Sequence, residues 1–439
     1  MAGGGGSIFR RGDGRWVAMV DIGWTATGHR RRKKLVASTR AEARNRLRDY
    51  LASMEEVGAA PSARTTVKRY ADQWLPKQET RLRPGPYVTM RGHVTKWIVP
   101  ALGHQLISEL SAASIDRIER DMRAAGRSST TIGAVIGTCR RMLTDARRDG
   151  HRVPDAVLAV RRPPRAVSDR DALPPADAVS LLVAAAHPDT WPDLPVDPTP
   201  RHEDGRMVAG RSWSAAQRAR VREWRQVCRE RQWAARVDAS RWLAALLQGM
   251  RQGEALGLMW DHVDLDAGRI IIEWEAQRVA SGATMPDGVR HVDLGGGMVL
   301  LPPKTRAGVR VIPMVPMMAD ALAAWREMAP ASPHDLVWSR PDGSPMSDAL
   351  DRLAWRGLQA AADVEHPDGR PYIVHEARHT TVTLLQAVGA PPEVIIAIVG
   401  HAAYSSTRPY MHADMTERAR HALEGVAKML TADPLAKES

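Results

Sequence analysis

His375-Glu376-Ala377-Arg378-His379, then Gly400-His401, then Thr407-Arg408-Pro409-Tyr410-Met411-His412, gather imidazole, guanidinium and phenol groups into one short span near the C-terminus. Two upstream segments extend the set. One is Gly249-Met250-Arg251-Gln252-Gly253-Glu254-Ala255-Leu256, followed by Leu258, Trp260 and Asp264. The other is Pro303-Lys304-Thr305-Arg306, with Arg310 and Pro313 after it. Each alone is modest, because an isolated arginine is usually a surface charge and an isolated tyrosine usually packs in a core or at its rim.

One reaction needs the whole set. Transesterification of a phosphodiester passes through a crowded, doubly charged phosphorane-like state. Two guanidiniums and imidazole donors aimed at its nonbridging oxygens place fixed positive charge where negative charge develops. A tyrosine hydroxyl, with a free pKa of about 10, must lose its proton to attack and needs a cationic site to do so. The departing 5′ oxygen needs a proton, which lysine can give and arginine practically cannot. A phosphotyrosine conserves the ester bond energy, so rejoining requires no ATP. With enough arginine charge, no metal or other cofactor is required either.

Composition agrees with a polyanionic partner. The 439 residues carry a formal charge of +12, and 44% are hydrophobic, enough for two or three packed domains. Nucleic acid and an acidic membrane surface both fit that charge. No apolar run is long enough to span a bilayer, and the Gly-rich start lacks the apolar core of a secretory signal. Cys139 and Cys228 read as ordinary thiols of a reducing compartment, so a cytoplasmic location is expected. The basic residues divide into 54 Arg and 8 Lys, a bias that a GC-rich genome would produce unaided. Against that background, Lys304 is the only lysine between Lys96 and Lys428.

The chain reads as a multi-domain protein, mainly α with small β-sheets (α+β). Residues 1–60 predict a small sheet followed by a helix. Trp16, Ala18, Val20 and Ile22 alternate with Val17, Met19 and Asp21, the run Arg30-Arg31-Arg32-Lys33-Lys34 leads into Leu35-Val36, and Thr39 can cap a helix from Arg40. This stretch holds 12 Lys/Arg against 6 Asp/Glu, a surplus that favours DNA contact over a merely solvated face. Residues 65–160 predict a helical domain. Ile132, Val135, Ile136, Cys139, Met142, Leu143 and Ala146 line one face of a helix there. Arg161-Arg162-Pro163-Pro164-Arg165 reads as a linker. Residues 168–439 read as a mixed α/β domain with strands near 269–274, 298–301 and 309–313. Within it, 187–212 looks like an inserted loop and 214–236 like an Arg-rich helix, read as a solvated face slightly ahead of a DNA contact.

The three segments resemble those of the tyrosine recombinase family, which includes phage and plasmid integrases. Its Gly-x-Arg-x-Gly-Glu-Ala-Leu-x-Leu-x-Trp pattern matches residues 249–260. Its Lys-Thr-x-x-x-x-Arg-x-Ile-Pro pattern, with the lysine on a β-hairpin, matches Lys304 to Pro313, and His-x-x-Arg-His, Gly-His and Thr-x-x-Tyr-x-His match the rest. The resemblance implies that Arg251, Arg378 and His401 bind the phosphate, that His375 assists proton transfer, that Lys304 is the general acid and that Tyr410 attacks. Glu254 would be a supporting acidic residue. It further implies an arm-type DNA-binding domain over 1–60, a core-binding domain over 65–160 and a catalytic domain over 168–439. Expected partners are double-stranded DNA attachment sites of a phage or mobile element, a homotetramer on two duplexes, a DNA-bending host factor and an excisionase, with no membrane. This sequence departs from the pattern at Gly308, where serine is common, and in the long gap at 275–300.

Rival readings exist. His375-Glu376-Ala377-Arg378-His379 also satisfies the zinc-peptidase pattern H-E-x-x-H, with Glu376 as base, but this leaves Arg251, Lys304 and Tyr410 unexplained. A topoisomerase shares the chemistry, and a non-catalytic DNA-binding protein shares the charge. Tyr404 reads as packing. Met415, Ala419, Leu423, Val426 and Leu430 mark an amphipathic C-terminal helix. The resemblance favours its docking on the next protomer, against folding back on its own domain.

Overall fold

The computed structural model describes residues 6–24, 30–56, 65–164, 172–203, 206–280, 283, 285–304, 308–400 and 413–431. The chain divides into two compact units, Met1–Ser168 with Ala283–Asp287, and Asp169–Gly282 with Gly288–Ser439.

The first unit contains two separate hydrophobic cores. In the N-terminal one, β1 (Gly6–Arg10), β2 (Trp16–Trp24) and β3 (Arg30–Ala37) form an antiparallel sheet in that order, joined to α1 (Arg40–Glu56). Thr39 Oγ1 accepts from the Glu42 amide at 3.2 Å, the expected cap. Ala18, Val20, Ala37, Ala43 and Leu47 form its small core, while Arg32, Lys33 and Lys34 of β3 are exposed. The second core is helical and comprises α2 (Val67–Glu79), α3 (Pro84–His93), α4 (Val99–Leu102), α5 (Ala112–Ala124), α6 (Ser129–Arg148) and α7 (Asp155–Leu158). The apolar stripe from Ile132 to Ala146 on α6 is wholly buried in it.

The second unit is built around one large core. Its order is α8 (Pro175–Ala186), α9 (Ala215–Ala234), α10 (Ala239–Leu246), α11 (Gln252–Leu256), β4 (Val263–Asp264), β5 (Arg269–Ile272), β6 (Glu275–Arg278), β7 (Val292–Gly295), β8 (Met298–Leu301), β9 (Arg310–Pro313), α12 (Pro316–Met328), α13 (Asp348–Ala361), α14 (Val374–Ala387), α15 (Pro392–Val399) and α16 (Ala413–Thr431). The strands make two antiparallel sheets, β4-β5-β9 and β6-β8-β7. The second sheet accounts for the long 275–300 gap. Because β8 and β9 run in different sheets, Lys304 sits on the connection between sheets and not at the tip of a single hairpin.

The C-terminal helix corrects an expectation. Ala419, Ala422, Leu423, Val426 and Leu430 of α16 are buried in the core of their own unit, and the Arg418 guanidinium meets Glu393 of α15 at 2.8 Å. The apolar face is covered in cis, so it is not a free surface for another protomer.

Candidate active site

The centre of the site is the N-terminus of α11. Arg251 stands at the N-cap with extended backbone, and Glu254 at the third helical position turns back on it. The Glu254 carboxylate accepts from the Arg251 amide at 2.8 Å and from Arg251 Nη1 at 2.6 Å, satisfying an otherwise orphaned helix-start donor. Gly249 precedes them with φ +62°, a left-handed conformation that favours glycine. A Cβ there would also lie 3.2 Å from Thr381 Cγ2 of α14. The Gly249 carbonyl accepts from Arg378 Nη1 at 2.7 Å, so the loop before Arg251 is tied to the helix bearing Arg378.

Glu254 gathers more than Arg251. Arg310, buried on β9, grips it with both terminal nitrogens, Nη1 to Oε1 at 2.9 Å and Nη2 to Oε2 at 2.8 Å. Arg378 Nη1 lies 4.0 Å from Oε2. Glu254 lies within 4.0 Å of all three arginines, and the charge of Glu275 also acts on Arg378. Burial is the largest influence on Glu254 and pushes its pKa up, but Arg310 and Arg251 together hold it down at about 2. For Arg378, burial and then the like charges of Arg251 and Arg310 pull the pKa down to about 9. A guanidinium keeps its proton in proteins, so this reads as a cation held at a cost. Three guanidiniums against one carboxylate leave a formal +2 on these four side chains.

The same arginines organise the end of α15. That helix stops at Gly400, whose φ of +68° is the left-handed cap. Its last carbonyls lack helical donors and carry the negative end of the helix dipole. Each receives a different arginine: Arg310 Nε donates to Ile398 O at 2.7 Å, Arg378 Nη2 to Val399 O, and Arg251 Nη2 to Gly400 O at 2.9 Å. The end of α15, as far as Gly400, is therefore fixed by the cations around Glu254.

The remaining sequence-derived residues fall as follows. His375 and His379 lie one turn apart on α14, half-buried, their ring centroids 5.0 Å apart and nearly perpendicular. Glu376 between them is buried and accepts from the Ile373 amide at 2.7 Å and from Arg370 at 2.8 and 3.0 Å. Burial raises its pKa, but these donors lower it more. That carboxylate serves as a helix cap and an ion-pair partner, which removes the base that a zinc-peptidase reading needs. Lys304 is exposed. Its loop is closed at the far end by Gly308, where a Cβ would fall 2.3 Å from Pro303 Cβ, and by Arg310 Nη1 donating to Gly308 O at 3.1 Å. This packing is why serine is not accommodated at 308. His401, Tyr404 and Tyr410 lie outside the described residues.

Two features had no role in the sequence reading. Arg310 stood there only as part of a pattern, although an arginine inside Val309-Arg310-Val311-Ile312 signals a buried partner. Arg241 and Asp351 form a fully buried pair, Nη2 to Oδ2 at 2.9 Å, and Gln252 beside Arg251 donates to the same Asp351 oxygen at 2.7 Å. The α11 terminus is thereby braced on α13.

The described residues contain no helix long and apolar enough to cross a membrane. Comparison with known proteins points one way. Residues 226–417 match the model of the phage integrase family. An integrase of Streptomyces ambofaciens is 25% identical over 417 residues, covering 90% of this chain and 91% of that protein. An integrase of Saccharopolyspora erythraea is 26% identical over 223 residues, and the match spans 40% of this chain and 50% of that relative's length. The Tn1549 transposon integrase, solved with a circular intermediate DNA, has a TM-score of 0.56 at 17% identity, covering 82% of this chain and 98% of that one. A lambda integrase tetramer bound to a Holliday junction gives 0.50 at 13% identity, covering 93% and 98%. At such identities the structural likeness speaks for the fold. The residues matched by the family model include every segment that carries the proposed chemistry, and over that stretch the chain is similar to the phage integrase family, the tyrosine recombinases.

Proposed function

We propose that the chain is a site-specific DNA recombinase that cuts and rejoins attachment sites of a phage or other mobile element through a 3′-phosphotyrosine. Tyr410 Oη attacks the scissile phosphorus. The bond to the 5′ oxygen breaks, and Lys304 protonates that oxygen as it leaves. Arg251, Arg378 and His401 hold the nonbridging oxygens, and His375 assists the proton transfer. Rejoining reverses these steps with a 5′ hydroxyl from the partner duplex as nucleophile. The observation that carries this reading is the surplus of positive charge gathered on Glu254, which a phosphate entering the site would compensate.

The test is the nucleophile. On a nicked duplex carrying the native attachment site, the wild-type protein should form a 3′-linked covalent adduct. Tyr410→Phe should form none while still binding DNA. An adduct formed by Tyr410→Phe would refute the assignment.

The basic N-terminal sheet, with Arg32, Lys33 and Lys34 exposed, supports a separate DNA contact over residues 1–60. Residues 65–160 would grip the core site and 168–439 would cut it. The working assembly would be a homotetramer on two duplexes, served by a DNA-bending host factor and an excisionase. Deleting residues 1–60 should weaken integration more than core-site cleavage, and unchanged integration would remove the arm assignment.

A further inference from the structure

The segment before α10, which reads from the sequence as an insertion, carries a row of cations. Along α9, Arg218, Arg222, Arg225 and Arg229 recur at steps of four, three and four residues, one face of a helix. All four are exposed. They span about 17 Å, roughly the rise of five base pairs.

This row is costly to the helix by itself. Each arginine has another arginine as its neighbour one turn away, and such like-charge pairs destabilise a helix. Elsewhere the chain answers its helical cations with acids at that spacing, as in Lys68–Asp72 at 2.9 Å, Arg123–Glu119 at 2.7 Å and Arg352–Asp348 at 2.8 Å. None of the four on α9 is in an ion pair among the described residues. Arg218 donates to the Trp213 carbonyl and Arg229 to Gln226 Oε1 at 2.7 Å, while Arg222 and Arg225 have no hydrogen-bond partner there. Asp197, which feels Arg225 from beyond ion-pair reach, is paired with Arg201 at 3.7 Å. Of the two helix acids, Glu230 is taken by Arg356 of α13 at 2.6 Å.

The row is also rigidly mounted. A Cβ on Gly357 of α13 would lie 2.1 Å from the Glu230 carbonyl oxygen, so the two helix backbones touch. Ser214 and Gln217 form a reciprocal cap at 2.8 and 3.1 Å. Trp224 Nε1 donates to Pro195 O at 2.7 Å, and Arg231 lies over Trp191 at 5.0 Å while bonding Pro192 O at 3.1 Å. The inserted loop thus clamps the helix on the side away from the arginines. An open groove of about 440 Å³ adjoins the row at Arg229 and is lined on α13 by Arg352 and Arg356, each paired with an acid.

We propose that this arginine row is a DNA-backbone contact added by the insertion, whose ligand is the phosphate array of duplex DNA. An extended polyanion relieves the like-charge strain along the whole row at once. The proposal rests on the recombinase reading, since DNA is already that enzyme's substrate.

The experiment uses the full chain and a long random-sequence duplex, with affinity measured by fluorescence anisotropy over a range of KCl concentrations. In the variant Arg222→Gln/Arg225→Gln/Arg229→Gln, the slope of log affinity against log salt should fall by about 2.7, near 0.9 for each phosphate no longer neutralised. The corresponding triple lysine variant should keep the wild-type slope, because a point charge suffices at a phosphate. Removing like charges should leave the unfolding midpoint no lower, so weaker binding would not reflect misfolding. An unchanged slope in the glutamine variant, with wild type binding normally, would make the row a solvated face and overturn the proposal while leaving the recombinase reading intact. Normal DNA binding with impaired self-association would overturn it in favour of a contact with a second copy of the chain. Wild-type protein that neither binds duplex nor forms the Tyr410 adduct would remove both.

Discussion

Arg310 and Glu254 form a bidentate ion pair at 2.8 and 2.9 Å, with both side chains almost wholly removed from water. Because Glu254 also receives Arg251, this pair sets the position of a residue proposed to touch the phosphate. Removing one partner leaves a buried charge unanswered. Arg310→Met should therefore destabilise the protein by about 3–5 kcal/mol. Adding Glu254→Gln should cost less than the sum of the two single changes, with a coupling of roughly 1–3 kcal/mol in urea unfolding. Strict additivity would show that the two residues act independently.

The same carboxylate gives the fold an acid limb. Glu254 is held at about 2 in the folded protein against an ordinary value of 4.5. A carboxylate with a depressed folded pKa contributes stability above its unfolded value and loses it as pH falls towards the folded one. Stability should drop between pH 4.5 and about 2, by an amount on the order of 3 kcal/mol from this group. Urea midpoints across that window should flatten in Glu254→Gln. An equally steep limb in the variant would assign it to other carboxylates.

The candidate chemistry was legible because residue type and local spacing carried it. Arg251 with Glu254 three positions on is a helix-start signature, and the apolar stripe of α6 fixed its own buried face by period alone. The partner of Arg310 was not legible, since Glu254 lies 56 positions away and only tertiary packing brings it near. Likewise the amphipathic pattern of α16 says that one face must be covered but not by what. The sheet β6-β8-β7 escaped notice except at β8, because Glu275–Arg278 and Val292–Gly295 are short, largely polar strands. Their pairing is non-local information.

Lys304 offers a chemical test that needs no structural assumption. As general acid it should matter only while the leaving group is a poor one. Lys304→Met should slow cleavage by about 10²–10⁴-fold on an ordinary phosphodiester. Replacing the bridging 5′ oxygen by sulfur gives a thiol leaving group, with a pKa of about 8.5, that departs without a proton donor. The variant should recover most of its lost rate on that substrate. Arg251→Ala should not recover, because charge on the nonbridging oxygens still needs stabilising. A Lys304→Met protein equally slow on both substrates would show that lysine does not act on the leaving group.

The cis packing of α16 changes what C-terminal truncation tests. Leu423 is fully buried and faces the same core that α8, α14 and α15 line. Gly425 presses on Val388, where an added Cβ would come within 3.3 Å of the valine Cβ. A helix docked on a neighbouring protomer would leave the isolated protein indifferent to Leu423, whereas a helix docked in cis makes Leu423 a core residue. Leu423→Ala should therefore cost about 2–5 kcal/mol of stability in the DNA-free protein. The unfolding midpoint should not depend on protein concentration, because no subunit contact is involved. Removing everything after His412 should unfold the catalytic unit and abolish cleavage along with synapsis. A truncated protein that stays folded and cuts DNA but fails only to synapse would restore docking in trans.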